Sequence, residues 1–242
     1  MMQVRKTVVP IVSVVVILLI SAGLLVYMRT SPRFEITRVG VRGNSRLVPE
    51  SVVEYLNIPP HTNIFQIRLS DIQQQLEKLP WVKTAKVFRN FPDKISIVLT
   101  ERTPFALLKL DKLHLVDREG VVLEAFASGS TITLPIITGT FIEHIDVDGE
   151  NPKLRQALYA IHEIMNASLP LFENVRKIRI QSLENATFIN TDPSYPEIRV
   201  SLADYSQNVQ RLQQLYPTLN LENLAYIDLR FDRRIIVPAN KS

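Results

Sequence analysis

The stretch from Val8 to Met28 constrains the chain more than any other feature of the sequence. It carries no charged residue, and fourteen of its positions are Val, Ile or Leu. As an α-helix it is about 32 Å long, enough to cross a hydrocarbon layer of about 30 Å. Buried core helices are seldom this long and this uniformly apolar. The stretch therefore predicts a transmembrane helix, with Val8 and Met28 as the limits of a membrane anchor.

The residues that flank this helix do not decide its direction. The tail at residues 1–7 carries only Arg5 and Lys6, whereas more arginines follow the other end of the helix. Counted literally, the positive-inside rule would put the C-terminal part in the cytoplasm. A cleaved signal peptide is a second interpretation, but the apolar run is long for one and no A-x-A cleavage site follows it. We favour an uncleaved signal anchor whose orientation charge alone does not decide.

Composition limits what the rest of the chain can do. The 242 residues are 46% hydrophobic and 21% charged, with a formal net charge of +4. Lysines and arginines are scattered rather than grouped in blocks, so nothing indicates a nucleic-acid partner. The absence of cysteine excludes disulfides, thiol catalysis and cysteine-ligated zinc. The roughly 210 residues after the anchor suit one large or two small domains.

A small α+β unit follows a short linker at residues 29–33. Alternating β-formers, amphipathic stripes and proline breaks predict a strand, two helices and two more strands. These elements are Phe34–Val41, Pro49–Leu56, a helix capped by Ser70 that ends before Pro80, Trp81–Asn90 and Ile95–Glu101. The β-α-α-β-β order predicts two helices on one face of a three-stranded sheet.

The remainder of the chain predicts short strands and two helices. Tight connections after Pro104 are typical of an antiparallel meander. One helix begins at Pro152 with a buried apolar stripe, and a second, capped by Asp204, ends at Tyr216-Pro217. A last strand covers Leu224–Phe231. The predicted fold class is α+β: one N-terminal transmembrane helix, a β-α-α-β-β domain, then a mostly antiparallel β-domain with two helices.

Several short motifs after the anchor share the spacing of one known family. They are Trp81-Val82, Phe91-Pro92, Ile95-x-Ile97-x-Leu99-x-Glu101-x-x-Pro104-x-Ala106, Asp117-x-x-Gly120, Leu134-Pro135, Thr138-Gly139 and, most specifically, Tyr226-Ile-Asp-Leu-Arg-Phe-Asp232. Together they resemble the bacterial cell division protein family FtsQ, called DivIB in Gram-positive bacteria. The resemblance implies a POTRA domain at residues 34–102 and an FtsQ-type β-domain at residues 103–242.

No pattern of residues predicts catalysis. The four histidines lack metal-ligand spacing, no G-x-S-x-G motif occurs, and the seven glycines form no phosphate-binding loop. Asp117, Glu119 and Glu124 surround a turn and are more simply solvated residues than an acid/base pair. We therefore expect a protein that is not an enzyme and that uses no cofactor, no metal and no small-molecule substrate.

The chemistry that remains is that of a sheet edge, whose unpaired N–H and C=O groups can accept another strand. Leu224–Phe231 is the candidate, with two faces expected from strand alternation. Ile227, Leu229 and Phe231 are expected to face the core, leaving Tyr226, Asp228 and Arg230 on the other face. From the residues alone, an internal strand with solvated arginines is equally open. The resemblance implies that the partner FtsB adds a segment here, with Tyr226, Arg230, Phe231 and Arg233 as partner-binding residues.

The resemblance thus implies a non-enzymatic divisome scaffold that captures the FtsB–FtsL complex. It implies a single-pass inner-membrane protein at the division septum, with a cytoplasmic N-terminus and periplasmic domains. The POTRA domain is expected to offer other division proteins a second edge at Phe34–Val41. The alternative function is a membrane-anchored POTRA module that handles extended polypeptides in protein export or outer-membrane assembly. A membrane-anchored hydrolase would need a polar pocket that the sequence does not indicate.

Overall fold

The structure is a computed structural model that describes residues 2–126, 133–146, 149, 151–221, 224–231 and 235–236, with side chains from residue 12 onward. The chain divides into two compact units between Arg102 and Thr103. The N-terminal unit contains one long apolar helix and a small α+β fold, and the C-terminal unit is rich in strands with helices added. The predicted α+β class is confirmed.

The first helix, α1 (Met2–Thr30), extends beyond both ends of the predicted span. Its segment Val12–Thr30 has a mean hydropathy of 2.3, and none of it is buried within the protein. An apolar helix whose side chains are almost all exposed is suited to a lipid environment. Val8 lies inside the helix, and Met28, half-buried, lies two residues before its end.

The α+β part of the N-terminal unit has the predicted β-α-α-β-β order. Its elements are β1 (Arg38–Arg42), α2 (Pro49–Leu56), α3 (Leu69–Glu77), β2 (Val82–Asn90) and β3 (Lys94–Glu101). The sheet order is β1-β3-β2, with β1 parallel and β2 antiparallel to β3. Apolar side chains of both helices and all three strands pack into one core. β1 lies at one edge of this sheet, where another strand could be added. That other division proteins bind at this edge stays a prediction.

Two local details of this unit differ from the expectations. The first strand begins at Arg38 because Pro32–Phe34 forms a 3₁₀ turn instead of extended chain. The predicted cap at Ser70 is wrong: α3 begins at Leu69, Arg68 holds the cap position and no side chain caps the helix. Apolar burial of Ile72 and Leu76, rather than a capping box, therefore stabilises α3.

The C-terminal unit is built on one eight-stranded sheet. Its strands are β4 (Pro104–Lys109), β5 (Leu113–Asp117), β6 (Val122–Ala125), β7 (Ile136–Thr138), β8 (Val175–Ser182), β9 (Asn185–Asn190), β10 (Glu197–Val200) and β11 (Tyr226–Asp228). The sheet order is β11-β10-β9-β8-β7-β4-β5-β6. Four neighbouring pairs are antiparallel, whereas β7 is parallel to β4 and β8, and β11 is parallel to β10.

Helices cover the core of this sheet. They are α4 (Pro152–Met165), α5 (Pro170–Glu173) and α6 (Ser206–Leu215), one more than predicted. The apolar stripe predicted on α4 is confirmed, since its Leu, Ile and Ala side chains are buried. The cap predicted at Asp204 is wrong, because α6 begins at Ser206 without a side-chain cap. The sheet order leaves β11 and β6 at its two ends, which directs attention to β11.

Candidate partner-binding edge

β11 is joined to the sheet on one side by a parallel ladder to β10. The Glu197 N–H donates to the Ala225 carbonyl at 3.3 Å, and the Leu229 N–H donates to the Arg199 carbonyl at 2.7 Å. Backbone groups alternate in direction along a strand. The backbone groups of residues 225, 227 and 229 therefore face β10, and those of Tyr226 and Asp228 face away from the sheet.

A second segment of the same chain lies against this outer side. The Asp228 N–H donates to the Ile236 carbonyl at 2.9 Å, and the Ile236 N–H donates to the Asp228 carbonyl at 3.1 Å, an antiparallel bridge. The predicted edge strand within Leu224–Phe231 is thus the end strand of the sheet, but the isolated bridge occupies the outward N–H and C=O of Asp228. Among the residues that the structure describes, the outermost backbone at this end belongs to Ile235 and Ile236.

The side chains of β11 follow the predicted alternation only in part. Ile227 and Leu229 are fully buried, as predicted. Phe231 was expected in the core, but it is 47% exposed. The strand ends at Asp228, so strand alternation no longer applies at Phe231. Phe231 thus leaves a large apolar ring at the surface beside the edge.

Asp228 and Arg230 form an ion pair at this edge. The Asp228 carboxylate is almost wholly buried and accepts bonds from the Arg230 Nη2 at 2.6 Å and Nε at 2.9 Å. The Arg230 backbone N–H also donates to Asp228, at 3.1 Å, and the Arg230 Nη1 donates to Asn185 at 3.1 Å. Arg230 therefore ties the end of β11 to β9.

These contacts act on the pKa of both groups. Burial alone would raise the pKa of Asp228, but the hydrogen bonds and charge of Arg230 outweigh it and the net pKa is lowered. The hydrogen bond to Asp228 raises the pKa of Arg230. The pair is thus held in its charged form, and Arg230 is a structural residue before it is a partner contact.

The four predicted partner-binding residues differ in their exposure and contacts. Tyr226 is half-buried beneath the Arg199 guanidinium, whose carbon lies 3.8 Å from the ring centroid. The Arg230 guanidinium carbon lies 5.9 Å from the Phe231 ring, so these two side chains are neighbours. Arg233 lies outside the described residues. The structure thus brings Arg230 and Phe231 together and leaves Phe231 as the exposed apolar group.

Sequence reasoning missed two polar residues that support this edge. Asn185 bonds Arg230, and buried Asn208 on α6 donates its Nδ2 to the Leu229 carbonyl at 2.9 Å. Asp228 and Arg230 could have been predicted to pair, because the sequence analysis placed both on one face of the predicted strand Leu224–Phe231. Nothing local could have found the asparagines, since both come from distant segments.

Elsewhere in the described part of the chain, the polar side chains do not converge on a metal site. No group of three histidine or acidic residues there is arranged to hold a metal ion. Asp117, considered above for acid/base chemistry, is buried, and its Oδ1 accepts the N–H groups of Glu119 and Val121 at 2.9 Å each. Its role is to hold the turn between β5 and β6.

Comparison with known proteins gives the family. Residues 34–102 match the family described as POTRA domain, FtsQ-type, and residues 106–230 match the family described as cell division protein FtsQ/DivIB, C-terminal. The chain belongs to the FtsQ/DivIB family. The resemblance inferred from the short motifs is therefore confirmed over both domains.

Individual FtsQ proteins are similar over most of the chain. The cell division protein FtsQ of Syntrophotalea carbinolica is 29% identical over 212 residues, covering 86% of this chain and 74% of that protein. FtsQ of Geotalea daltonii is 27% identical over 208 residues, covering 84% and 75%. FtsQ of Corynebacterium glutamicum is 29% identical over 165 residues, covering 67% and 68%.

Membership of the FtsQ/DivIB family gives the general function of the chain. FtsQ/DivIB is a family of non-catalytic cell-division scaffolds, and the chain has a divisome role through protein–protein interactions. With its apolar helix α1, it is a membrane-anchored cell division protein. The alternative of a POTRA module for protein export is not supported, because both matched domains are of the FtsQ type.

Proposed function

We propose that this chain is a bitopic scaffold of the divisome, with its N-terminus in the cytoplasm and both folded units in the periplasm at the septum. It recruits the FtsB–FtsL complex by adding a strand of FtsB to the β11 end of the C-terminal sheet. Tethering by α1 raises the local concentration of the edge, so modest contacts suffice for capture.

The antiparallel bridge between Asp228 and Ile236 carries this proposal. It supports the idea that the β11 end of the sheet accepts an extended segment. Both backbone groups of Ile236 are used by Asp228, so strand alternation turns the N–H and C=O of Ile235 outward. A partner strand would pair there, where main-chain bonds supply affinity and neighbouring side chains supply selectivity.

The side chains near this edge suit such a partner. Phe231 offers an exposed aromatic ring, and aromatic side chains often dominate binding interfaces. Arg230, fixed by Asp228, presents the exposed part of its guanidinium with little further ordering. The proposed contact strip is therefore Phe231 and Ile235, with Tyr226 and Arg230 beside it. Arg233, which lies outside the described residues, stays a predicted partner contact from the sequence alone.

A proline substitution tests the backbone part of the proposal. Ile235→Pro removes the outward N–H, whereas Ile235→Val keeps it. Loss of one interface hydrogen bond is worth about 1 kcal/mol, so Ile235→Pro is expected to weaken FtsB–FtsL binding at least about fivefold and Ile235→Val hardly at all. Binding is measured with the full chain in nanodiscs, and thermal unfolding checks the fold. Equal affinities for two folded variants would refute strand addition at Ile235.

A second pair of variants tests the side-chain part. Phe231→Lys removes the exposed ring, and Tyr159→Lys does the same on α4, where Tyr159 is 61% exposed. Loss of a central aromatic contact costs about 2 kcal/mol, so only Phe231→Lys should weaken FtsB–FtsL binding, by roughly thirtyfold. If both variants, or neither, lost affinity, Phe231 would not be the specific contact.

A topology reporter fused after Ser242 tests the orientation. Alkaline phosphatase is active only after export, so high activity is expected with this fusion and low activity with a fusion to the N-terminus. A cytoplasmic C-terminus would overturn the proposed topology whatever the binding results.

A further inference from the structure

Four aromatic rings connect the end of α1 with the turn between β2 and β3. The ring centroids of Tyr27 and Phe34 lie 6.3 Å apart, and those of Phe34 and Phe65 lie 5.2 Å apart, both edge to face. Phe65 then stacks on Phe91 at 5.1 Å. We call Phe34, Phe65 and Phe91 the aromatic shoulder. Successive ring contacts of this kind hold each aromatic side chain in a defined position.

Two side chains fasten the shoulder to the last turn of α1. The Asn63 Nδ2 donates to the Met28 carbonyl at 3.0 Å, and the Gln66 Nε2 donates to the Arg29 carbonyl at 3.0 Å. Carbonyls in the last turn of a helix lack partners within the helix. Asn63 is only 4% exposed, and its Oδ1 also accepts the Phe65 N–H at 2.9 Å. One buried amide thus joins the helix end to the shoulder.

These bonds set the depth of the shoulder relative to a membrane. If Val8–Met28 crosses the hydrocarbon layer, the Met28 and Arg29 carbonyls lie near its boundary with the headgroups. Tyr27 is at the end of the span, where tyrosine is favoured. Groups that hydrogen-bond those carbonyls must lie within a few ångströms of the same boundary, and the headgroup region is about 5–8 Å deep on each side.

The exposed part of the shoulder suits lipid rather than water. Phe91 is 61% exposed and Pro92 beside it is also exposed. The exposed cations Arg29 and Arg33 flank the same end of α1, and basic residues next to a span favour anionic headgroups. The occupant that fits an aromatic ring at headgroup depth with neighbouring cations is the bilayer itself.

We propose that Phe91, supported by Phe65 and Phe34 and fastened through Asn63 to the end of α1, inserts into the headgroup region of the membrane. The N-terminal unit then rests on the lipid surface as well as being tethered to it. The contact with lipid does not depend on which protein binds the C-terminal sheet.

Fluorescence quenching by lipid tests the insertion. The chain contains one tryptophan, so Trp81→Phe gives a background into which Phe91→Trp is introduced. The full chain is reconstituted in phosphatidylethanolamine and phosphatidylglycerol vesicles with or without brominated acyl chains, which quench only nearby indoles. Tyr27→Trp in the same background is the positive control, because that position lies in the span.

Val98→Trp is the matched negative control. Val98 is 40% exposed on β3 and pairs with Lys86 on β2. Lys86 precedes Phe91 by five residues, so Val98 lies about 17 Å from Phe91 along the strand direction. We expect Phe91→Trp to lose at least half as large a fraction of its emission as Tyr27→Trp, and Val98→Trp to lose none. Unchanged thermal unfolding confirms that each variant folds.

A second indole probe tests the insertion in case the substitution at Phe91 disturbs the turn between β2 and β3. Phe65→Trp places the indole in the same shoulder and is expected to be quenched more than Val98→Trp. If neither Phe91→Trp nor Phe65→Trp is quenched while Tyr27→Trp is, the shoulder faces water or a protein partner and the proposal is wrong. Equal quenching of Val98→Trp would also overturn it, because insertion would then not be specific to the shoulder.

Discussion

The ion pair of Asp228 and Arg230 makes the most specific stability prediction. Arg230→Met keeps much of the aliphatic volume of the side chain and removes the guanidinium. The carboxylate left behind is 3% exposed, whereas the Arg230 side chain is 27% exposed. Breaking a fully buried pair costs about 3–5 kcal/mol and a surface pair below about 1 kcal/mol.

The expected cost lies between these limits. Asp228 keeps the backbone N–H of residue 230 and the nearby charge of Arg199, while Arg230 is partly solvated. We therefore expect Arg230→Met to lower the free energy of unfolding by about 2 kcal/mol at neutral pH. Adding Asp228→Asn should recover about 1 kcal/mol of this loss, because it removes the unpaired buried charge.

The contribution of Asp228 to the free energy of unfolding changes with pH in opposite directions in the natural chain and in Arg230→Met. In the natural chain the pKa of Asp228 is lowered, so its stabilisation is present above the unfolded value of about 3.9 and is lost as pH falls through the folded pKa. Without Arg230, burial raises that pKa. The variant should then gain stability as pH falls below neutrality, and the difference between the two proteins should shrink.

Hydrogen exchange provides the measurement. The only tryptophan is in the N-terminal unit, so amide exchange at β9, β10 and β11 is followed by mass spectrometry between pH 7 and acid. A loss in protection that stays the same at every pH would refute the electrostatic reasoning and point to lost packing of the Arg230 stem.

Two further changes probe the core of the C-terminal sheet. Gly139→Ala should destabilise by about 3 kcal/mol in urea unfolding followed by tyrosine fluorescence, because Gly139 has φ +115° and a Cβ there would overlap the Ile180 carbonyl oxygen. The control is Gly40→Ala in β1 of the N-terminal unit, which meets only the flexible Lys94 side chain and should change the stability of that unit by less than about 0.5 kcal/mol. Similar costs for both substitutions would contradict the steric argument. Phe188→Ala should cost about 3–5 kcal/mol in the same assay, since its ring is fully buried 5.8 Å from that of Phe172, and a cost below about 1 kcal/mol would show that the site collapses around the smaller side chain.

Local periodicity predicted the elements that depend on local contacts. The stripe of α4 and the hairpin of β2 and β3 follow from apolar spacing and turn residues, and both are confirmed. The β-α-α-β-β order followed from the same signals. The family resemblance then placed the C-terminal strands within a known type of domain.

The details of the edge depend on long-range pairing and could not be predicted this way. Nothing near Tyr226 indicates that β11 runs parallel to β10 or that Ile236 returns to bond Asp228. Phe231 was assigned to the core because alternation was extended past the end of the strand. The side-chain caps expected at Ser70 and Asp204 failed because packing, not capping, decides where those helices begin.

The short strand β7 has a consequence for how the C-terminal unit assembles. All three of its residues pair in parallel with β8, and two of them, Ile136 and Ile137, also pair in parallel with β4. β7 therefore joins the β4–β6 meander to the strands β8–β10. Each of those antiparallel groups forms through short connections, whereas the β7 ladders pair segments that are far apart in sequence. Formation of the β7 ladders is therefore expected to be slow, because the entropy of closing the long loops is lost before the new contacts form. Before β7 docks, β4 and β8 are open edges of two half-sheets, prone to pair with other chains. A newly synthesised molecule is therefore expected to be most vulnerable to aggregation at that stage, and a chaperone that covers strand edges would protect it there.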